Sequence, residues 1–218
     1  MYTWNELLAD IRSDLQDTGE TPRFPDKMLF LYAKDAIRDY SQWFPRRVDQ
    51  LKLTTDPDGG IFYPLPTGFI EDIFVEAPTS RFLERRQEHP GLRYMQYVRP
   101  FYYWVEGGNL YLDCKTYNAE LLLTYYATHP VPASETDETF VITVPDLDIE
   151  LVRLYVKAKA YGQTRSRQAN LDRFKPRGNR EDNPLRPEFE DLMTEYEQKI
   201  AERSTGGVIR LFRSGRSR

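Results

Sequence analysis

Two prolines bracket the most restrictive stretch of this sequence, residues 24–45, FPDKMLFLYAKDAIRDYSQWFP. Between them Leu29, Ala33, Ala36, Ile37, Tyr40 and Phe44 recur at helical spacing, while Asp35, Arg38 and Asp39 fall on other faces. Pro25-Asp26 is a restart signal, with Asp26 as the expected N-cap accepting N–H bonds from the first turn. Pro45 cannot continue a helix and drives Phe44 out of helical geometry. The spacing therefore predicts a helix of about five turns with aromatic residues gathered at its exit. Its apolar face needs cover, so the chain on either side has to return to it.

Upstream, Thr3-Trp4-Asn5-Glu6 fits a capping box, Thr3 capping a helix start and Glu6 reaching back to it. Trp4, Leu7, Leu8, Ile11 and Leu15 form one stripe, and Asp17-Thr18-Gly19 is expected to end the helix. A helix this short does not stand alone in water. Its nearest partner is the helix of residues 24–45, which predicts an αα-hairpin.

From Val48 the period changes. Residues 48–55 read as a strand and residues 56–60 as a turn. Pro64 and Pro66 confine the next apolar run to an edge or a strand end. Residues 69–76 read as another strand, and residues 77–93 as charged and irregular. Residues 97–105 and 109–114 form a hairpin across Glu106-Gly107-Gly108, the clearest local signal in the chain. Residues 119–128, with LLLTYYAT, close an antiparallel module of five or six strands before His129-Pro130.

Residues 131–140 read as an acidic loop. Val144-Pro145-Asp146 opens a long helix whose first-turn acids, Asp146, Asp148 and Glu150, complement the helix dipole. One stripe on it is Leu147, Leu151, Leu154, Tyr155, Ala158 and Tyr161. A second is Ile149, Val152, Val156 and Ala160. Two stripes call for cover on two sides, one from the helix hairpin and one from the β module or another subunit. Residues 162–187 read as a long polar loop. Pro187 starts a final helix with Phe189, Leu192, Met193, Tyr196 and Ile200 as its stripe, and Gly206-Gly207 ends it.

The fold class is therefore α+β: a bundle of about four helices with an inserted antiparallel β module and an extended tail. The expected domains are a helical body of residues 1–47 and 141–202, the β module of residues 48–130, and a basic and apolar tail of residues 203–218. That tail holds five arginines and no acid. The whole chain carries −4, so the remainder carries −9, and the two parts call for different neighbours. No run of 18 apolar residues predicts a membrane span. MYTWNELLAD has no basic or apolar leader region, so no secretory signal is expected. A single cysteine, Cys114, rules out an intramolecular disulfide framework and fits a reducing compartment.

Catalytic constellations do not stand out. The two histidines, His89 and His129, each precede a proline in loop-like sequence, where a lone histidine is ordinarily a solvated residue. Cys114 at a strand end reads as a small buried hydrophobe. No Cys or His cluster has zinc spacing, and no phosphate-loop, dinucleotide, nucleophile-elbow or zincin motif occurs. Glu135, Asp137 and Glu138 match no calcium loop and read as solvated acids. No cofactor or metal is called for.

Phe101-Tyr102-Tyr103-Trp104, with Tyr94, Tyr97, Tyr111, Tyr125 and Tyr126, has three readings: a stacking platform, the core of a small sheet, or a subunit interface. The hairpin lacks interleaved Lys or Arg, which weighs against a nucleic-acid platform and for core plus interface. In the tail, Ile209, Leu211 and Phe212 sit among Arg210 and Arg213, a pattern that suits folding onto a partner groove or sheet edge. A DNA-binding arm is the rival, since the arginines can neutralise phosphates.

Taken in order, TWNELLADIRSDLQD, FPDKMLFLYAKDAIRDYSQWFP, GGIFYPLPTGFIED, GGNLYL, LLLTYYATHP and VPDLDIELVRLYVKAKAYG resemble the tailed-bacteriophage head-to-tail connector proteins, the adaptors that dock under the portal. The resemblance covers nearly the whole chain. It implies a structural virion protein rather than an enzyme, made in the host cytoplasm and located at the neck. Such a subunit would form a homo-oligomeric ring of about twelve copies between the portal protein and a tail or nozzle protein. DNA would pass through the lumen without sequence-specific binding. Carried onto this chain, Val208, Ile209, Arg210, Leu211, Phe212, Arg213 and Arg216 would bind the portal, and Ile149, Val152, Val156, Tyr102 and Trp104 would meet neighbouring subunits. A carbohydrate- or host-binding module built on the aromatic hairpin is the alternative. The basic stretch 165–187 matches no feature of the family.

Overall fold

The computed structural model describes residues 2–54, 60–77, 81–87, 100–116, 120–137, 139–172 and 185–205. The chain divides into two compact units, residues 1–44 with 129–218, and residues 45–128. Among the described residues the fold is α+β, with four α-helices and largely antiparallel sheets.

In unit 1 a two-residue strand β1 (Tyr2–Thr3) precedes α1 (Trp4–Asp14). The capping box forms: Glu6 N–H donates to Thr3 Oγ1 at 3.3 Å and Thr3 N–H to Glu6 Oε2 at 2.7 Å. The helix ends at Asp14, five residues before Gly19. Gln16 takes the left-handed conformation (φ 51°), its N–H donates to Ser13 O at 3.0 Å, and Asp17 N–H donates to Arg12 O at 2.9 Å. That is a Schellman closure with glutamine in the usual glycine place. Buried Asp17 then accepts from Arg23 N–H at 2.6 Å and Phe24 N–H at 3.0 Å, and pairs with Arg12 at 3.0 Å, fixing the turn into the next helix.

Helix α2 (Asp26–Trp43) is the stretch between the two prolines. Pro25, not Asp26, is its N-cap: the Pro25 carbonyl takes the first helical N–H bonds, while the Asp26 carboxylate turns to Arg12. Phe44, at φ −131°, ends the helix as the residue before Pro45 must. After unit 2 the chain re-enters at His129 and forms β10 (Val141–Ile142), which pairs antiparallel with β1. A 3₁₀ turn (Asp146–Asp148) leads into α3 (Ile149–Asp172), and α4 (Leu185–Thr205) follows. The loop expected over residues 162–187 is thus helical to Asp172 and again from Leu185. Gly162 does not break α3, because a Cβ there would meet the Phe189 ring of α4 at 3.1 Å, and its absence seats that ring. Arg203, assigned to the tail on sequence, lies inside α4.

One core joins Trp4, Leu7 and Ile11 of α1, Leu29, Ala33 and Ile37 of α2, Val152 and Val156 of α3, and Tyr196 and Ile200 of α4. The expected αα-hairpin is not the tightest pairing: α1 makes its closest approaches to α3, tied by Arg153, which grips Asp14 at 2.7 and 2.8 Å and Asp10 at 3.3 Å.

The described residues of unit 2 form a sandwich of two four-stranded sheets. One orders β2 (Arg46–Thr54), β9 (Glu120–Ala127), β4 (Phe69–Ala77) and β5 (Arg81–Phe82). The other orders β3 (Gly60–Pro64), β8 (Asn109–Thr116), β7 (Tyr102–Glu106) and β6 (Glu84–Arg85). Five or six strands were expected, because β5 and β6 fall in the charged stretch that looked irregular. Between them Leu83 is buried where the chain crosses from one sheet to the other, and β6 runs parallel to β7. The β7–β8 hairpin turns on Gly107 (φ 56°) and Gly108 (φ 80°), two consecutive left-handed residues as a type I′ turn requires. Val75, Leu121, Leu123 and Tyr125 of the first sheet meet Tyr63, Tyr103, Leu110 and Leu112 of the second.

Candidate functional site

Three helices of unit 1 leave an open groove of about 460 Å³. Trp43 of α2, Tyr155 of α3, and Met193 and Ile200 of α4 supply its apolar surface. Asp39 and Glu197 are its acids, and among the described residues no lysine or arginine lines it. Tyr196 at its base donates a 2.6 Å hydrogen bond to Asp39 Oδ2 and meets Tyr155 edge to face at 5.3 Å. Burial, then the Asp39 carboxylate, hold the Tyr196 phenol far above its ordinary range, so it stays a neutral donor.

The end of α4 beside the groove is pinned to the start of α3. Arg203 pairs with Asp148 and donates to Leu147 O at 2.7 Å, and Lys199 bridges Glu150 and Glu195. Tyr40 of α2 donates to the same Asp148 carboxylate. Burial pushes the Tyr40 phenol up to about 12, partly offset by Arg203. Leu147, expected on the apolar stripe, is 83% exposed, because the 3₁₀ turn has a different period and only the Leu147 carbonyl is engaged.

In unit 2 the outer face of the β3–β8–β7 sheet carries a row of rings. Phe62 lies 5.9 Å from Tyr111, which stacks on Trp104 at 5.4 Å. Arginines interleave with neighbouring rings, Arg86 3.7 Å over Tyr102 and Arg81 3.9 Å over Phe101. They come from the stretch 81–86, which is why the hairpin sequence showed no such pattern. Tyr103 points the other way, into the sandwich, donating at 2.5 Å to the buried Asp72, which Arg85 approaches at 3.3 Å. Burial also raises the Asp113 carboxyl, whose oxygens accept the Phe101 N–H at 3.0 and 3.3 Å.

The residues assigned to subunit contacts land mostly inside the chain. Ile149, Val152 and Val156 are 4%, 1% and 0% exposed, enclosed in the core that α3 shares with α1 and α2. Both stripes of α3 are answered within unit 1, the other by α4 through Tyr155. These three are core residues, not a face for a neighbour. Trp104 is buried too, while Tyr102 stays partly exposed under Arg86. Val208, Ile209, Arg210, Leu211, Phe212, Arg213 and Arg216 lie outside the described residues.

His129 corrects the reading of a solvated loop histidine. It is buried, its N–H donates to Ser41 Oγ at 2.9 Å, Nε2 lies 3.0 Å from Phe44 O and Nδ1 2.9 Å from Thr143 Oγ1. A carbonyl only accepts, so Nε2 carries a proton. Cys114 is buried, its thiol pushed up to about 11 by burial and then by Asp113, so it stays protonated. Among the described residues, no three His, Cys, Asp or Glu side chains are placed to hold a metal ion, and no helix is long and apolar enough to cross a membrane.

A family model described as SU10 adaptor protein matches residues 2–210, spanning both units. No curated protein matches the chain.

Proposed function

The chain belongs to the SU10 adaptor protein family, a family of bacteriophage structural adaptors, and on that premise we propose that it forms a ring between portal and tail. The match over residues 2–210 carries this reading. In it the ring lies at the virion neck, prolongs the channel of the portal, and presents its far side to a tail or nozzle protein. A closed ring of about twelve copies is the assembly proposed. An acidic body, with −9 outside residues 203–218, suits a conduit, since a lumen that bound phosphates tightly would hold DNA back.

Val208, Ile209, Arg210, Leu211, Phe212, Arg213 and Arg216 are the proposed portal-binding residues. For contacts between copies we retain Tyr102 and add the exposed apolar side chains Leu31, Phe62 and Phe82, at 50%, 56% and 61% exposure. The hairpin gives little support to a carbohydrate-binding reading, because the Trp104 indole is buried against Tyr111.

Electron imaging of the protein mixed with its portal tests the reading. A closed ring stacked on one face of the portal is the expected result, and no complex at micromolar concentration would refute it. A chain stopped after Thr205, which keeps the Arg203–Asp148 pair, is expected to lose portal binding. Undiminished binding would remove the tail from the portal contact.

A further inference from the structure

We propose that the groove of unit 1 is the docking site, within the same chain, for the segment VIRLFR (residues 208–213) that follows α4. The groove and the segment match in chemistry. The groove is apolar at Trp43, Tyr155, Met193 and Ile200 and carries two carboxylates, with no cation lining it among the described residues. The segment holds Val208, Ile209, Leu211 and Phe212, with Arg210 and Arg213 as its charges and no acid. Wound helically, over about 1.7 turns, its four apolar residues would share one side and its arginines the other. The apolar side suits the groove and the arginines suit Glu197 on the rim.

Geometry favours the same chain over a second copy. Ser204 itself lines the groove, and only Thr205, Gly206 and Gly207 separate it from Val208. Thr205 is still helical, so the link is the two glycines, which reach up to about 7 Å. Along α4, Ile200 and Glu197 lie about 6 Å and about 10 Å back from Ser204. The two glycines permit the reversal of direction at little steric cost. So short a tether holds the segment at an effective concentration in the millimolar range, above any free concentration of a second copy in dilute solution. A free subunit therefore covers the groove with its own segment, and a partner that captures the segment uncovers it.

The test is hydrogen exchange on the full chain, followed in residues 193–204 at two protein concentrations about a hundredfold apart. Wild type is compared with Leu211→Asp/Phe212→Asp, with Glu197→Lys, and with Glu197→Lys/Arg210→Glu, which swaps the charge pair. Exchange there is expected to be about threefold or more slower in wild type than in the first two variants. It should be equal at both concentrations and restored in the swapped pair. Equal exchange in wild type and Leu211→Asp/Phe212→Asp would overturn the proposal. So would protection that appears only at the higher concentration, which would assign the groove to a second copy, or a charge swap that restores nothing. No portal enters the measurement, so its failure leaves the adaptor reading untouched.

Discussion

His129 is where the chain comes back to unit 1, and its bonds are to the place the chain left. Its ring donates to the carbonyl of Phe44, the last residue before the departure, and its backbone N–H donates to Ser41 one turn earlier. These partners stand 85 and 88 positions away in sequence, so a histidine before a proline reads as solvated until the fold is known. His129→Ala removes two ring bonds and leaves a carbonyl short of its donor. Unit 1 is expected to lose about 2–3 kcal/mol, read as a lower urea midpoint, and a loss under about 0.5 kcal/mol would mark the bonds as incidental. Tyr40, edge to face with the same ring at 5.4 Å, gives a pH signature. An ordinary phenol titrates near 10, and burial holds Tyr40 at about 12. Below pH 10 it is neutral in both states. Between about 10 and about 12 the unfolded chain releases the proton and the folded chain keeps it, so stability falls. The slope from this one group is up to about 1.4 kcal/mol per pH unit. Tyr40→Phe should flatten the urea midpoint across that window by this share, although it forfeits the bond to Asp148. An unchanged slope would show that Tyr40 titrates alike in both states.

At the scale of elements, what the sequence reveals is what neighbours in sequence decide. Thr3 and Glu6 are three residues apart, and Gly107-Gly108 sets its own turn, so the first helix start and the central hairpin are readable before any tertiary contact is known. Strands β1, β10, β5 and β6 have two residues each, too few for a period, and exist because a distant edge accepts them. The groove is hidden for the same reason: its lining comes from three helices, and each residue alone is an ordinary stripe or rim position. Gly162 shows how a local rule is overridden. It reads as a helix end, yet α3 passes through it because Phe189 occupies the space a side chain would take. Alanine there gains about 1 kcal/mol of helix propensity and must displace the ring edge by a few tenths of an ångström, so Gly162→Ala should be near neutral. Gly162→Leu has no such room and should cost about 2 kcal/mol, with faster hydrogen exchange in α4 than in α1. Equal stability of the two variants would mean that α4 shifts freely along α3.

For the whole molecule, the two places where the chain crosses between units are each closed within a unit. In unit 1 the exit and the return are joined through Phe44, Ser41 and His129. In unit 2 the first and last strands lie side by side, with Arg46 opposite Ala127. A unit whose ends already meet does not need the intervening chain to hold them, and such junctions tolerate insertion and removal. The sequence pointed to the exit through Pro45 and the change of period at Val48, and to the return through the end of the last strand before His129-Pro130, but not to the bonds that join them, whose partners stand 85 and 88 positions apart. Replacing residues 45–128 by a glycine-rich bridge of about four residues, which spans about 13 Å, should leave unit 1 folded. Its helical circular dichroism should persist, and its urea midpoint should lie within about 1 kcal/mol of the intact chain. Residues 45–128 expressed alone should unfold cooperatively as a β sandwich. If the bridged unit 1 loses its helices, the core of α1, α2, α3 and α4 is not self-sufficient, and the sandwich contributes to its stability. If it folds, it also separates two roles: portal binding that survives the bridge belongs to unit 1 and the segment after α4, and any contact that disappears belongs to the sandwich.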